Sequence, residues 1–271
     1  MPLNIHVNLI AVNDGCIPPF TGDVVRKVFF NIIGRYSEDL ARRLHDVPGV
    51  KSYSIKPLFT EGRKLIKHGK WHIEKGARCA FGFGFVDPSL EDDVLSAVID
   101  GIPETIRIGS VEFSRHTIEV SKHNFERLLG RTISYFGLGF RTPTFFSIPR
   151  RTIGYLFPEP VRIFRSLMNI WNSYCGKDYI IEEDFLNWVS ENVYPVVIRR
   201  LYTRSVDMEK GRVVGLKGSV AYVIRESDVE EAEILYGLIK LGLISNVGAK
   251  RTFGFGVISV YDIARKEQIR V

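Results

Sequence analysis

The chain has 271 residues, 45% of them hydrophobic and 25% charged, a length and balance that exclude a disordered or fibrous protein and suffice for a buried core in one large domain or two small ones. Its 37 lysines and arginines against 31 acidic residues leave a net charge of +6, which leans toward an anionic partner such as nucleic acid. Cys16, Cys79 and Cys175 are odd in number and far apart, with no C-x-x-C and no neighbouring histidine cluster, so neither a disulfide framework nor a zinc site is supported. There is no basic leader, and no apolar run approaches the roughly 20 residues of a membrane span, so the sequence predicts a cytoplasmic protein without a membrane partner.

"LNIHVNLIAV" alternates Leu3, Ile5, Val7 and Leu9 with Asn4, His6 and Asn8, the pattern of a half-buried strand. "DVVRKVFFNII" places Val25, Val28, Phe29, Ile32 and Ile33 at helical spacing behind Thr21 as the expected cap, and "SEDLARRLHDV" continues as a second helix capped by Ser37. "KSYSIKPLF" and "KWHIEKGARCAFGFGFVD" read as strands, "SLEDDVLSAVIDGI" as a helix and "TIRIGSVEFSRHTIEV" as closing strands. The order is that of a ferredoxin-like β-α-β-β-α-β unit.

The second half repeats it. "RTISYFGLGFRTPTFF" supplies a strand, "PEPVRIFRSLMNIWNSYC" a helix, and "YPVVIRRLYTRSVD" with "RVVGLKGSVAYVIRE" a hairpin. Ser227 and Glu230 form a capping box opening "DVEEAEILYGLIKLGLIS", and a last strand follows. The expected fold class is α+β, with two tandem ferredoxin-like domains over residues 1–121 and 122–271 packed as a pair.

Between that last helix and strand lies "VGAKRTFGFG", residues 247–256. It matches neither phosphate-loop spacing, and the order helix, glycines, strand disfavours a nucleotide on a helix N-terminus. Two readings stand: a turn whose glycines permit positive φ and close backbone approach, or a phosphate contact through Lys250 and Arg251.

Among six histidines none has the H-E-x-x-H spacing, and no metal is expected; His68 and His72 sit in a basic stretch read as a solvated hairpin. His45 stands where a helix stops, and Lys51 follows a Pro-Gly turn able to fold it back. An imidazole moves protons near neutral pH and an ammonium stabilises an extra-charged phosphate, which is enough to cleave RNA through its own 2′-hydroxyl. The competing reading is a histidine that complements a helix C-terminus beside an ordinary surface lysine.

The tail "GSVAYVIRESDVEEAEILYGLIKLGLISNVGAKRTFGFGVISV" strongly resembles the C-terminal signature of the CRISPR-associated "Cas six" endoribonucleases of the RAMP superfamily. "PPFTGDVVRKVFFNII" with "LARRLHDVPGVKSYSIKPLF" is similar to the family's N-terminal block, and "FRTPTFF" with "YLFPEPVRIFRSLMNIWN" to its middle, so the resemblance spans nearly the whole chain. It implies two ferredoxin-like domains and metal-independent cleavage of CRISPR repeat RNA in a precursor transcript, leaving a 2′,3′-cyclic phosphate and a 5′-hydroxyl. No cofactor is implied.

By the same resemblance His45 falls on the family's catalytic histidine and Lys51 on its catalytic lysine, while Phe30 stands where such members carry a tyrosine. A nearby hydroxyl, Tyr36 or Tyr53, would have to substitute, and Tyr36 is the candidate. The resemblance puts Gly248, Lys250, Arg251, Gly254 and Gly256 on the RNA-binding side; Arg141, Arg150 and Arg151, with Lys64 and Lys67, are read as further cations along the RNA path. Phe145, Phe146 and Trp71 could stack on bases, with core packing as the competing use. CRISPR effector subunits are expected as further partners, and the protein as a monomer or homodimer. The alternative is a catalytically inactive RAMP-type RNA-binding subunit, which Phe30 favours.

Overall fold

The computed structural model describes residues 1–62, 64–148, 150–151, 153–209, 211–225 and 229–271. They form two compact units: Leu3–Lys122 with Thr252–Gly254, and Met1–Pro2 with His123–Arg251 and Phe255–Val271.

In the first unit the chain runs β1 (Leu3–Ala11), β2 (Gly15–Ile17), α1 (Gly22–Tyr36), α2 (Glu38–Asp46), β3 (Tyr53–Thr60), β4 (Leu65–Lys67), β5 (Lys70–Ile73), β6 (Arg78–Phe85), α3 (Glu91–Gly101), β7 (Thr105–Ile108) and β8 (Val111–Lys122). The main sheet has the order β3-β6-β1-β8-β7, and β2-β5-β4 form a small second sheet. The alternation in β1 sends Leu3, Ile5, Val7 and Leu9 into a core with Val25, Phe29, Ile32 and Ile33 of α1. In β6 the run "FGFGF" buries Phe81, Phe83 and Phe85 while its glycines face the other way. A Cβ on Gly82 would stand 2.5 Å from the Ile5 carbonyl oxygen, so neighbouring β1 leaves no room for one.

The second unit runs α4 (Phe125–Leu128), β9 (Tyr135–Thr144), α5 (Pro160–Tyr174), α6 (Asp184–Asn192), β10 (Val193–Met208), β11 (Gly211–Ile224), α7 (Val229–Ser245), β12 (Ile258–Asp262) and β13 (Glu267–Ile269), with sheet order β10-β11-β9-β12-β13. Strands β9, β10, β11 and β12 thus repeat the arrangement of β1, β3, β6 and β8, each central strand antiparallel to both neighbours. This is the ferredoxin-like order expected twice from the sequence. Phe136, Leu138 and Phe140 of β9 are buried, as are Phe164, Leu167 and Trp171 of α5 and Leu235, Leu238 and Ile239 of α7.

The expected elements are present, and several details differ. Thr21 does precede α1, but its hydroxyl accepts from the Leu58 backbone N–H at 2.8 Å and makes no cap bond. Ser37 caps α2, accepting from the Leu40 N–H at 3.2 Å. "KWHIEKGARCAFGFGFVD" is two strands, broken where Gly76 takes φ +82°. Ser227 of the expected capping box lies outside the described residues. Strands β4 and β5 pair as the hairpin read around His68 and His72, whereas strands β2 and β13 and helices α4 and α6 were not expected.

The face of the first sheet opposite the α1 core holds a buried polar chain. Lys56 of β3 donates to Asn4 Oδ1, and Asn4 Nδ2 lies 3.1 Å from His6 Nε2. Burial pushes the Lys56 ammonium down to about 7, and burial together with the Lys56 charge pushes His6 down to about 4. Among the described residues no helix is long and apolar enough to cross a membrane.

Candidate functional site

In the first unit His45 occupies the last turn of α2, where a cation complements the helix dipole. Its side chain is 60% exposed, and Nδ1 lies 2.7 Å from Asp46 Oδ1. With Nδ1–H donating to that carboxylate, Nε2 carries the lone pair and points to proton exchange with a ligand. Lys51 does fold back, as the Pro-Gly turn predicts. Its ammonium donates to the His45 carbonyl at 2.6 Å and to that of Val47, so it closes the C-terminus of α2 and sits at the histidine's backbone.

Phe30 is the hub beneath the imidazole. Its ring meets His45 edge-on at 5.8 Å and Tyr53 edge-on at 5.5 Å, and the Arg26 guanidinium lies 5.0 Å above it. Arg26 and Phe30 are four apart on α1, so one helix face presents both. The guanidinium also covers the Phe253 ring at 4.5 Å, and Arg26 Nε is buried with no hydrogen-bond partner among the described residues. An aromatic sandwich holds this cation beside the histidine. The sequence reading missed Arg26, whose only signal was its place one turn before Phe30.

Tyr36 does not join this cluster. Six positions after Phe30, it is turned roughly 240° around α1 and is 48% exposed. The hydroxyl residue that touches Phe30 is Tyr53, which is buried.

The glycine stretch is a close-packed turn. Gly248, Gly254 and Gly256 all take positive φ, and a Cβ would stand 2.4 Å from the Phe145 carbonyl oxygen, 2.5 Å from Pro57 Cγ and 1.8 Å from the Val247 carbonyl oxygen respectively. Gly256→Ala is therefore expected to destabilise the second unit by about 3 kcal/mol, read as a lowered midpoint in thermal or urea melts; an unchanged midpoint would refute the packing account.

Of the two cations in the stretch, Lys250 is exposed, whereas Arg251 is buried and donates from its guanidinium to the Ser245 carbonyl at 2.9 Å. Arg251 therefore braces the end of α7. Arg251→Ala should lower stability by about 2 kcal/mol, while Lys250→Ala should leave stability alone. Urea melts of both variants separate these outcomes.

Arg141, Arg150 and Arg151 are exposed. Trp71 and Phe146 are buried, which removes them as stacking platforms, and Phe145 packs edge-on against Phe255 at 5.9 Å. The fold does create one cysteine–histidine pair that the spacing hid: Cys16 of β2 registers opposite His72 of β5, with Sγ 3.3 Å from Nδ1. Among the described residues no three histidine, cysteine or acidic side chains converge as a metal centre would require.

Comparison with known proteins fits this architecture. The sequence pattern of the family described as "CRISPR-associated endoribonuclease Cas6" matches residues 138–258. A curated CRISPR-associated endoribonuclease Cas6 from Streptococcus thermophilus is 28% identical over 127 residues, 47% of this chain and 51% of that protein, so the chain spans about half the length of that relative. A solved Cas6 product complex superposes with a TM-score of 0.75 at 23% identity over 95% of this chain and 99% of the other. The Thermus thermophilus Cas6 superposes at 0.66 with 20% identity over 95% and 97%, and a RAMP protein binding different RNA substrates at 0.65 with 14% identity over 99% and 100%. At these identities the structural likenesses speak for the fold alone, while the matched pattern and the curated relative, each over less than half of the chain, make this chain similar to the Cas6 family.

Proposed function

We propose that this protein is an endoribonuclease that cuts CRISPR repeat RNA within precursor transcripts by attack of a 2′-hydroxyl on the adjacent phosphate, without a metal ion, releasing a 2′,3′-cyclic phosphate and a 5′-hydroxyl. The observation that carries this reading is the exposed His45 imidazole, its Nδ1 engaged by Asp46 and a guanidinium held one aromatic ring away. His45 Nε2 takes the 2′-hydroxyl proton, or its protonated form delivers one to the leaving 5′-oxygen. The Arg26 guanidinium and the Lys51 ammonium supply positive charge for the dianionic phosphorane-like transition state. Arg26 extends the sequence-based assignment and replaces Tyr36 in it.

The test is cleavage of the host's own repeat RNA in excess EDTA, beside the same RNA carrying a 2′-deoxy nucleotide at the cut. Cleavage in chelator that the deoxy substitution abolishes is the expected result. Cleavage that needs added divalent metal, or that survives the deoxy substitution, would overturn the mechanism. A second reading, a guide-RNA-holding subunit without nuclease activity, is favoured by Phe30 and by an Lys51 ammonium engaged with helix carbonyls. Tight binding of intact repeat RNA under every condition would select it.

A further inference from the structure

The ferredoxin-like order gives the second sheet a face turned away from the buried side chains of β9, and there the side chains nearly vanish. Across one row, Tyr261 of β12 registers with Gly137 of β9, Ala221 of β11 and Val197 of β10. In the next row Ser259 registers with Gly139, Ser219 and Arg199. The result is a groove of about 450 Å³ whose floor is glycine, alanine and serine over the two middle strands. Tyr261, 44% exposed, stands on one flank and Val197 and Arg199 on the other, and Tyr135 of β9 lies at one end of the floor. Four strands at about 4.8 Å spacing put the flanking backbones roughly 14 Å apart, room for a flat ring and too little for a duplex.

The charge is one-sided. Among the described residues no acidic side chain lines the groove, and the one formal charge there is Arg199. Beyond Gly139 the next outward residue of β9 is Arg141, and next to Ser219 on β11 is Lys217. Burial, then Arg204 of β10 and Arg141, hold the Lys217 ammonium below the usual lysine range, so the three cations are close neighbours. Among the described residues none of Arg141, Arg199, Arg204 and Lys217 is in an ion pair. Aromatic edges over a bare floor, leading to cations with no counter-charge, match the requirements of unpaired nucleotides: a face for bases to stack on and positive charge for their phosphates.

We infer that this open sheet face of the second unit binds a short unpaired segment of RNA, with a base over Gly137 and Gly139 against Tyr261, and its phosphates at Arg199 and the Arg141, Lys217 and Arg204 cluster. The site is separate from the His45 cluster in the first unit. Its choice of RNA as ligand rests on the proposed function.

The experiment uses the full chain and a short unstructured RNA carrying fluorescein and 4-thiouridine. Tyr261→Ala should weaken binding about tenfold, Tyr261→Leu should behave like alanine, and Tyr261→Phe should keep wild-type affinity, because the ring face is what acts. Arg141→Ala with Arg204→Ala should lower the salt slope by about 1.4, and photocrosslinks should fall on residues 135–139, 219–221 or 259–261. Circular dichroism melts confirm that each variant is folded. Wild-type affinity in folded Tyr261→Ala, or crosslinks confined to other segments, would overturn the site. If the wild-type chain binds the strand on this face yet leaves repeat RNA whole, the site stands and the cleavage reading fails. If it cleaves repeat RNA with no crosslink on this face, the reverse holds, and absence of any RNA binding overturns both.

Discussion

Replacing His45 by alanine is expected to slow cleavage of saturating repeat RNA by a factor of about 10² to 10⁴ in single turnover, while the affinity for that RNA stays near the wild-type value. The size follows from the role. A positioned imidazole that exchanges the proton of the attacking or leaving oxygen lowers the barrier by roughly 3 to 5 kcal/mol, and little of that is expressed in the ground state. The side chain is mostly exposed and meets the ring of Phe30 edge-on, so its removal is expected to leave the fold intact. Asp46→Asn should have a smaller effect, about tenfold, because it weakens the hold on Nδ1 without removing Nε2. Imidazole added to the buffer should restore part of the His45→Ala rate. If His45→Ala cleaves at the wild-type rate, the histidine leaves the mechanism and the Arg26 cluster must be explained otherwise.

The second large effect is on stability. Folded Lys56 gives up its proton near 7 instead of its ordinary 10.5, because it is buried. Between those values the unfolded chain binds more protons than the folded one, so unfolding free energy rises with pH there, by up to about 1.4 kcal/mol per unit. The penalty is complete at and below about pH 7 and fades toward 10. Lys56→Met should therefore flatten this limb and raise stability near pH 7 by roughly 3 kcal/mol.

His6 governs the adjoining window. Its folded value of about 4 means that stability is lost as pH falls from 6.5 toward 4. Because the Lys56 charge is the second cause of that shift, the acid limb should become shallower in Lys56→Met. Urea melts from about pH 4 to 10 on both proteins test this, and superimposable profiles would refute it.

Much of this architecture was legible in the order of residues. Period-two alternation in β1 and helical spacing in α1 follow directly from which face is buried, and the same logic located the principal strands and helices of both units. In the small sheet β4 and β5 were legible as a hairpin, but β2 was not, because a three-residue strand carries too few alternating residues for a period to show. At the site, His45 and Lys51 could be named from a helix end and a turn. Arg251 could not be assigned from charge alone, since burial against the Ser245 carbonyl is a tertiary fact. Arg26 escaped for the same reason: its meaning comes from Phe253, which is distant in sequence. Cys16 and His72 meet only through strand register.

That distance between Arg26 and Phe253 also sets a sequence of events during protein synthesis. The chain emerges from its N-terminus, so β1 through β8 can collapse around their core while residues 252–254 have yet to be made. Until that tripeptide arrives, the guanidinium of Arg26 lacks one wall of its aromatic enclosure. A ribosome-bound chain, or one cut short before residue 252, thus carries His45 beside an arginine free to choose other rotamers. The constellation beneath the imidazole is completed only after residue 253 has been synthesised.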